Sequence, residues 1–104
     1  SIFLMAGGKK MYLVCYDISS NKYRKKVADT LLNYGRRVQF SVFECELGKA
    51  HYKKLCVELK KLVEQCGENV NICIFEINKN DYAKKVTFGN PEFVSEESEN
   101  VIVI

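Results

Sequence analysis

Apolar residues along this chain form runs of two kinds, one typical of strands and one typical of helices. The run from Met11 to Ile18 (MYLVCYDI) is rich in β-forming residues and predicts a buried strand. The polar cluster at 19–21 contains good N-cap residues, and apolar side chains then recur at helical spacing. The pattern therefore predicts a first helix over residues 21–34, with Gly35 at the position that commonly follows a helix.

In the middle of the chain, a predicted strand is again followed by a predicted helix. The segment from Arg37 to Leu47 (RVQFSVFECEL) alternates and predicts one strand with two different faces. One face would carry Val38, Phe40 and Val42, and the other would carry Gln39, Ser41 and Phe43. A second helical stripe runs from residue 52 to residue 66 and ends before Gly67, and residues 69–77 predict another apolar strand.

The order of these elements predicts an α+β fold. Two helices on one face of a mostly antiparallel sheet give a ferredoxin-like βαββαβ sandwich, since right-handed crossovers place both helices on the same side. The other face would be bare, and an apolar patch on it that includes Phe43 predicts a homodimer through that face. A brief strand is expected over 85–88. The terminal run 101–104 has no local partner, and we expect it to pair with the sheet edge of the partner subunit.

Length and composition set the expected domain boundaries. At 104 residues the chain lies in the range of one domain, which we expect to span residues 11–104. The segment 6–10 (AGGKK) resembles a linker. Residues 1–10 are therefore expected to be a tag remnant or a disordered extension.

Cysteine usage and hydropathy indicate the compartment. The five cysteines are an odd number without a CxxC pair, and they lie mostly inside apolar runs, which predicts buried free thiols rather than a disulfide framework. The single histidine, His51, is expected to be a solvated residue at the start of a helix. No apolar stretch approaches the roughly 20 residues that span a bilayer. The sequence thus predicts a cytoplasmic protein with no membrane partner.

Charge is distributed unevenly along the chain. Residues 1–91 carry all 16 basic side chains and nine acidic ones, whereas residues 92–104 carry four glutamates and no basic residue. A basic body fits a protein that binds a polyanion, and it fits a solvated lysine surface equally well. Both interpretations stay open on charge alone.

Three motifs together resemble a known family. They are Tyr16-Asp17-Ile18 at the end of the first strand, the basic helix segment 24–27 (RKKV), and RVQFSVFE at 37–44. This combination is similar to the CRISPR-associated protein two family, the small endoribonuclease-like subunit of the CRISPR spacer-acquisition complex. The resemblance implies a ferredoxin-like homodimer that works with the larger CRISPR integrase on nucleic acid. It also implies a metal-dependent endonuclease that cleaves RNA or DNA.

The resemblance assigns roles to individual positions. Asp17 would bind Mg2+ jointly with its counterpart in the partner subunit. The positions associated with catalysis are Tyr16, Asp17, Arg24, Arg37 and Phe43, and those associated with nucleic-acid binding are Arg24, Lys25, Lys26 and Arg37. Many relatives carry further acidic residues just after the aspartate, but this chain has Ser-Ser-Asn at 19–21.

Each assignment has a structural alternative. Asp17 could instead bond backbone amides at the start of the first helix. Tyr16 is expected to pack, and Phe43 is expected in the dimer core rather than against a base. Two functions stay open: a magnesium-dependent endonuclease, and a non-catalytic dimeric scaffold that binds the integrase and spacer DNA.

Overall fold

The computed structural model describes residues 8–89 and 101–102. In chain order the elements are β1 (Lys10–Ile18), α1 (Asn21–Leu31), β2 (Arg36–Gln39), β3 (Val42–Leu47), α2 (Lys49–Cys66), β4 (Val70–Ile77), α3 (Lys79–Tyr82), β5 (Thr87–Phe88) and β6 (Val101–Ile102). Four strands form one antiparallel sheet in the order β2-β3-β1-β4. With α1 and α2, this sheet makes the α+β, ferredoxin-like arrangement that the sequence predicted.

Both long helices pack on the same face of the sheet. The side chains that build the core are buried in β1 (Tyr12, Val14, Tyr16, Ile18), α1 (Val27, Ala28, Leu31) and α2 (Leu55, Leu59). Every second residue of β1 contributes, because successive strand side chains point to opposite faces. The ring of Tyr12 stacks on that of Tyr52 in α2, with 4.2 Å between the ring centroids. The core therefore fixes both helices against the central strand.

The glycines that follow the two long helices have different roles. α2 ends before Gly67, as predicted, and Gly67 has a left-handed φ of 63°. α1 ends at Leu31, and Gly35 does not have a positive φ. A Cβ at Gly35 would lie 2.1 Å from the backbone oxygen of Glu44 in β3. Gly35 is thus needed for close backbone packing rather than for ending the helix.

The segment predicted as one strand is a β-hairpin. Arg37 lies opposite Phe43, and the register then shifts so that Gln39 lies opposite Val42. The turn at 40–41 contains no glycine or asparagine, and among the described residues only glycines have positive φ. The usual sequence signals of a hairpin are therefore missing. The prediction of a single long strand is wrong, whereas the βαββαβ order is confirmed because the hairpin supplies the second and third strands of that order.

The hairpin also reverses the predicted position of Phe43. Phe43 lies opposite Val14 of β1 and has no exposed surface, so its ring is in the core under the helices. Val42 takes the other face and is half-buried. The prediction that Phe43 adds to an apolar patch on the bare face, and hence to a dimer core there, is wrong. The reason is that the turn changes the phase of the alternation.

We call the sheet face without helices the open face. Its apolar and thiol side chains, all at least partly exposed, are Met11, Leu13, Cys15, Val42, Cys73, Phe75 and Ile77. The Phe75 side chain is 53% exposed. All five cysteines are free thiols, and burial raises the pKa of the core thiol of Cys45 to about 11. Cys73 is exposed, which departs from the prediction that the thiols are buried.

The ends of the chain are described only in part. β5 pairs in parallel with β6 of the same chain. Pairing of the terminal segment with a partner subunit stays a prediction. Residues 1–7, 90–100 and 103–104 lie outside the described residues, and so does most of the predicted tag remnant or extension at 1–10. β1 already begins at Lys10.

Candidate nucleic-acid and metal site

Asp17 is the next-to-last residue of β1, and its side chain is exposed on the open face. It lies opposite Asn71 at the start of β4. Asp17, Asn71, Ser19 and Asn69 line a cavity of about 250 Å3, which we call the Asp17 cavity. The end of the first strand therefore presents one carboxylate among neutral oxygen-bearing side chains.

The start of α1 is capped by Ser20 rather than by Asp17. The Ser20 hydroxyl accepts a hydrogen bond from the backbone N–H of Tyr23 at 3.2 Å. This is the usual arrangement of a serine N-cap. The capping role that the sequence left open for Asp17 thus belongs to Ser20, and the carboxylate of Asp17 faces solvent.

The oxygen atoms around Asp17 are of the chemical type that binds hard cations such as Mg2+. Mg2+ is commonly bound by one or two carboxylates, with water or phosphate oxygens completing its shell. The Asp17 cavity offers one carboxylate, the hydroxyl of Ser19 and the amide oxygens of Asn69 and Asn71. Within the described residues, no three His, Cys, Asp or Glu side chains come together as a metal site. One chain therefore supplies a partial ligand set that oxygens from outside the chain could complete.

Tyr16 lies on the opposite face from Asp17, under the helices. Its hydroxyl donates to the backbone oxygen of Phe40 at 3.4 Å and lies 3.4 Å from a donating Nη of Arg37. Its ring packs on that of Phe43, with 6.2 Å between the centroids. Tyr16 is 5% exposed, which agrees with the packing role that the sequence favoured.

Arg37 of β2 is held between aromatic rings. The guanidinium carbon lies 5.1 Å from the centroid of Phe43 and 5.9 Å from that of Phe40. Both distances fall within the range of cation–π attraction. Together with the hydrogen bond to Tyr16, these contacts orient a planar cation that can bind phosphate oxygens in a two-pronged manner.

A second cavity, which we call the basic cavity, lies between α1 and the β2–β3 turn. Its volume is about 340 Å3, and its lining includes Tyr16, Arg24, Lys25, Leu32, Arg37 and Phe40. The nucleic-acid-binding residues predicted from the sequence are thus partly brought together. Arg24 and Lys25 come from α1 and Arg37 comes from β2, so basic side chains line the cavity on both its helix side and its hairpin side.

The two lysines of α1 that were predicted to bind nucleic acid, Lys25 and Lys26, make different contacts. Lys25 forms an ion pair with Asp29 one turn later, at 2.8 Å. The Nζ atom of Lys26 lies 5.1 Å from the ring centroid of Tyr23. Lys26 is exposed and is not among the residues that line the basic cavity. Of the predicted binding residues, Arg24, Lys25 and Arg37 therefore share one site, and Lys26 lies beside it.

The five positions grouped as catalytic by resemblance divide into two places. Tyr16, Arg37 and Phe43 form a contact cluster on the helix side of the sheet, and Arg24 shares a cavity with the first two. Asp17 is on the open face. Phe43 is fully buried, and its ring contacts the guanidinium of Arg37 from the core. Within one chain, the candidate metal ligand and the candidate phosphate-binding residues are on opposite sides of β1.

The sequence analysis gave no role to Glu44, which is a buried carboxylate on the open face. Its side chain is 7% exposed and accepts hydrogen bonds from Arg36 and from the hydroxyl of Tyr82 in α3. Burial and the bond to Glu44 raise the pKa of the Tyr82 hydroxyl. Since β1 lies between β4 and β3, the chain after β4 passes over β1 to reach Glu44. Glu44 therefore anchors this segment on the open face.

Two further features bear on the type of protein. Of the described helices, none has the length and apolar character needed to cross a membrane. His51 is exposed in the first turn of α2, as predicted. The fold and these cavities define a small ferredoxin-like α+β domain with a basic cavity and one exposed carboxylate at the end of its first strand.

Comparison with known proteins identifies the family. The chain belongs to the family described as CRISPR associated protein Cas2, whose sequence profile matches residues 10–85. A Synechocystis protein named CRISPR-associated endoribonuclease Cas2 1 is 35% identical over 86 residues, which cover 79% of this chain and 89% of the relative. Another from Synechocystis, CRISPR-associated endoribonuclease Cas2 3, is 46% identical over 54 residues. That match covers 52% of this chain and 59% of the relative.

A solved structure shares the fold. A chain in a structure described as a partial Cas6-RT-Cas1–Cas2 complex superposes with a TM-score of 0.64 at 33% identity. The match covers 73% of this chain and 87% of that chain. The resemblance stated from the sequence motifs is thus confirmed at the level of family and fold.

Proposed function

We propose that this chain acts in CRISPR spacer acquisition as a homodimer that binds nucleic acid and cleaves its phosphodiester bonds with Mg2+ at Asp17. The observation that carries the proposal is the exposed carboxylate of Asp17 among neutral oxygen groups at the end of β1. The two Synechocystis relatives are named endoribonucleases, and these names support cleavage of phosphodiester bonds as the reaction. A similar chain from a complex with Cas1 supports the larger CRISPR integrase as partner.

The homodimer is proposed to form through the open face. Phe75 is 53% exposed there, and Leu13, Cys15 and Val42 are only half-buried in the single chain. A contiguous apolar surface of this kind usually marks an interface. A two-fold contact would pair this face with its own copy. Because Asp17 is on the same face, the two carboxylates would then approach one another at one end of the interface.

A shared metal site follows from this arrangement. Two Asp17 carboxylates, with the hydroxyl and amide oxygens of Ser19 and Asn71, would hold one Mg2+ between the subunits. When bound, such a cation polarises a phosphate oxygen and activates a water molecule. The chain's own contribution is to position the carboxylates and to bind the substrate. Arg24 and Arg37 would hold phosphates in the basic cavity, and Phe43 and Tyr16 would fix the orientation of Arg37.

The substrate contacts are proposed to be mainly electrostatic. α1 carries four basic side chains and one acidic one, and the acidic residue, Asp29, is already paired with Lys25. Binding of RNA or DNA through phosphates would therefore be independent of sequence. We also propose a cytoplasmic location, because the five free thiols suit a reducing compartment.

A second candidate function is a non-catalytic scaffold that binds the integrase and spacer DNA. One observation favours it: no cluster of three or more metal-ligating side chains occurs within the described residues, so these residues alone do not form a two-metal site of the usual kind. Both candidates use the same homodimer and the same basic cavity. They differ in whether Asp17 is needed for a reaction.

A nuclease assay with matched variants distinguishes the two candidates. Asp17→Asn keeps the size of the side chain and removes its charge, whereas Glu64→Gln removes an exposed carboxylate from α2. With a labelled RNA or DNA, the endonuclease predicts Mg2+-dependent cleavage that Glu64→Gln retains and Asp17→Asn loses. If cleavage is equal in all three proteins, or absent in the wild type, Asp17 is not a catalytic residue and the scaffold function is favoured.

A further inference from the structure

The basic cavity has a feature that phosphate binding does not use. Phe40, in the turn between β2 and β3, has a side chain that is 74% exposed, and Leu32, just after the end of α1, is 56% exposed in the same cavity. Both side chains line the same cavity as Arg24 and Arg37. Two exposed apolar groups next to two cations form a mixed surface, suited to a ligand that has both a flat apolar part and a negative charge.

The backbone under Phe40 is held in place. The Tyr16 hydroxyl donates to the backbone oxygen of Phe40, and the backbone N–H of Tyr16 donates to Ser41 at 3.1 Å. The guanidinium of Arg37 lies 5.9 Å from the Phe40 ring. The turn is therefore fixed to the end of β1, and the ring is presented on a supported backbone.

The charge of the cavity selects the kind of ligand. The cavity is lined by Arg24, Lys25 and Arg37 and by one carboxylate, that of Asp29, which is paired with Lys25. An anionic ligand is therefore favoured over a neutral or basic one, and the planar guanidinium groups suit phosphate oxygens. Aromatic side chains beside basic grooves bind successive bases by stacking, and this stacking tolerates any base. In a duplex the base faces are covered by their neighbours. The cavity therefore suits an unpaired nucleotide.

We propose that the basic cavity binds one unpaired nucleotide of a single-stranded nucleic acid. The base packs against Phe40 and Leu32, and its phosphates contact Arg24 and Arg37. This proposal rests on the proposed binding of nucleic acid and adds a preference for unpaired segments. Because the cavity lies at the end of β1 that also carries Asp17, the unpaired nucleotide would be held at the same end of the sheet as the candidate metal ligand.

The test compares single-stranded and duplex DNA of equal length. The single strand carries 2-aminopurine, whose fluorescence is quenched on stacking. Phe40→Ala should weaken binding of the single strand by about 5-fold or more and abolish the quenching, since stacking on an aromatic side chain contributes roughly 1–3 kcal/mol per base. Binding of the blunt duplex should not change. Phe40→Tyr should retain both properties, and Val57→Ala, at a 56% exposed position on α2, is the control.

Other outcomes separate this proposal from the proposed function. If Phe40→Ala binds the single strand as the wild type does, while Arg24→Ala weakens both ligands, the nucleotide site is wrong and the proposed function stands. If Phe40→Ala loses only its association with the integrase, the cavity is a protein interface and the proposal is overturned. If the wild type binds neither ligand, both the nucleotide site and the proposed binding of nucleic acid are wrong.

Discussion

Tyr16 and Asp17 are neighbours in β1, and their side chains lie on opposite faces of the sheet. Tyr16 is buried under the helices with its hydroxyl 3.4 Å from Arg37, whereas Asp17 is exposed on the open face. This follows from the alternation of side chains along a strand. Two consecutive residues thus line different cavities, Tyr16 the basic cavity and Asp17 the Asp17 cavity. The proposed binding and cleavage functions can therefore be changed separately by mutation.

Replacing Arg24 or Arg37 by alanine should weaken the binding of unrelated duplexes by similar factors. Each arginine is proposed to contact phosphate, and such contacts release counterions, so affinity falls log-linearly with salt and the slope is shallower when a contact is lost. The measurement is a salt titration with two duplexes of unrelated sequence. Lys60→Ala, at an exposed position on α2, is the control. A strong preference for one duplex, or a slope near zero, would contradict phosphate binding.

Phe75→Glu should dissociate the proposed homodimer. The change places a charge in the middle of the apolar open face, where burial against a second copy would leave it without solvent. Val57→Glu introduces the same charge at a similarly exposed position on α2 and should leave the dimer intact. Sedimentation velocity at low micromolar concentration measures the result. A Phe75→Glu protein that remains dimeric would exclude the open face as the interface.

Gly35→Ala should destabilise the fold strongly. The new Cβ would lie 2.1 Å from the backbone oxygen of Glu44 and 2.7 Å from the Sγ atom of Cys45, so β3 would have to shift. We expect a loss of about 3 kcal/mol in the free energy of unfolding. Gly67→Ala is the matched control, because its Cβ meets open space and only the left-handed φ opposes it, at about 1 kcal/mol. Equal losses in urea denaturation would contradict this account of Gly35.

Tyr82→Phe should change how stability depends on pH. The folded state raises the pKa of the Tyr82 hydroxyl above its ordinary value of about 10, so folding favours the protonated form. This contribution is fully present below about pH 10 and is lost as the pH rises through the higher folded value. Wild type should therefore lose stability in alkali more steeply than the variant. At neutral pH the variant should be less stable by about 2 kcal/mol, because Glu44 loses a hydrogen bond.

Chemical denaturation at a series of pH values tests this. Tyr23→Phe removes a hydroxyl from α1 and serves as the control. The hydrogen bond to Glu58 raises the pKa of the Tyr34 hydroxyl to about 12. Because Tyr34 is present in every variant, the stability of all of them should still depend somewhat on pH in alkali. The same alkaline slope in wild type and Tyr82→Phe would show that the Tyr82 contact does not stabilise the fold.

The parts of the fold that depend on local pattern were predictable. α2 has a regular apolar stripe and ends at a glycine with left-handed φ, and β1 and β4 are continuous apolar runs. The β2–β3 turn was not predictable in this way, because Phe40 and Ser41 are not typical turn residues. Missing that turn reversed the predicted face of Phe43. One unrecognised turn therefore produced the main error in the predicted surface.

The candidate site was predictable only in part. Asp17, Arg24 and Arg37 were identified through motifs, and the structure places the two arginines around one cavity. Phe40 was assigned to a strand face with Val38 and Val42, because the turn that exposes its ring has no typical turn residue. The contact between Glu44 and Tyr82 spans 38 residues of sequence, so no local pattern indicates it. Contacts of this kind depend on the tertiary path of the chain across the open face.

The central claim is that two Asp17 residues, one from each subunit, form one magnesium-dependent nuclease site. Wild-type and Asp17→Asn proteins are unfolded and refolded together in varying ratios at constant total concentration, and cleavage is measured with Mg2+. If both carboxylates are required, activity follows the square of the wild-type fraction, so an equal mixture retains about a quarter of the wild-type rate. Activity proportional to the wild-type fraction would contradict a shared site and show that each Asp17 acts alone.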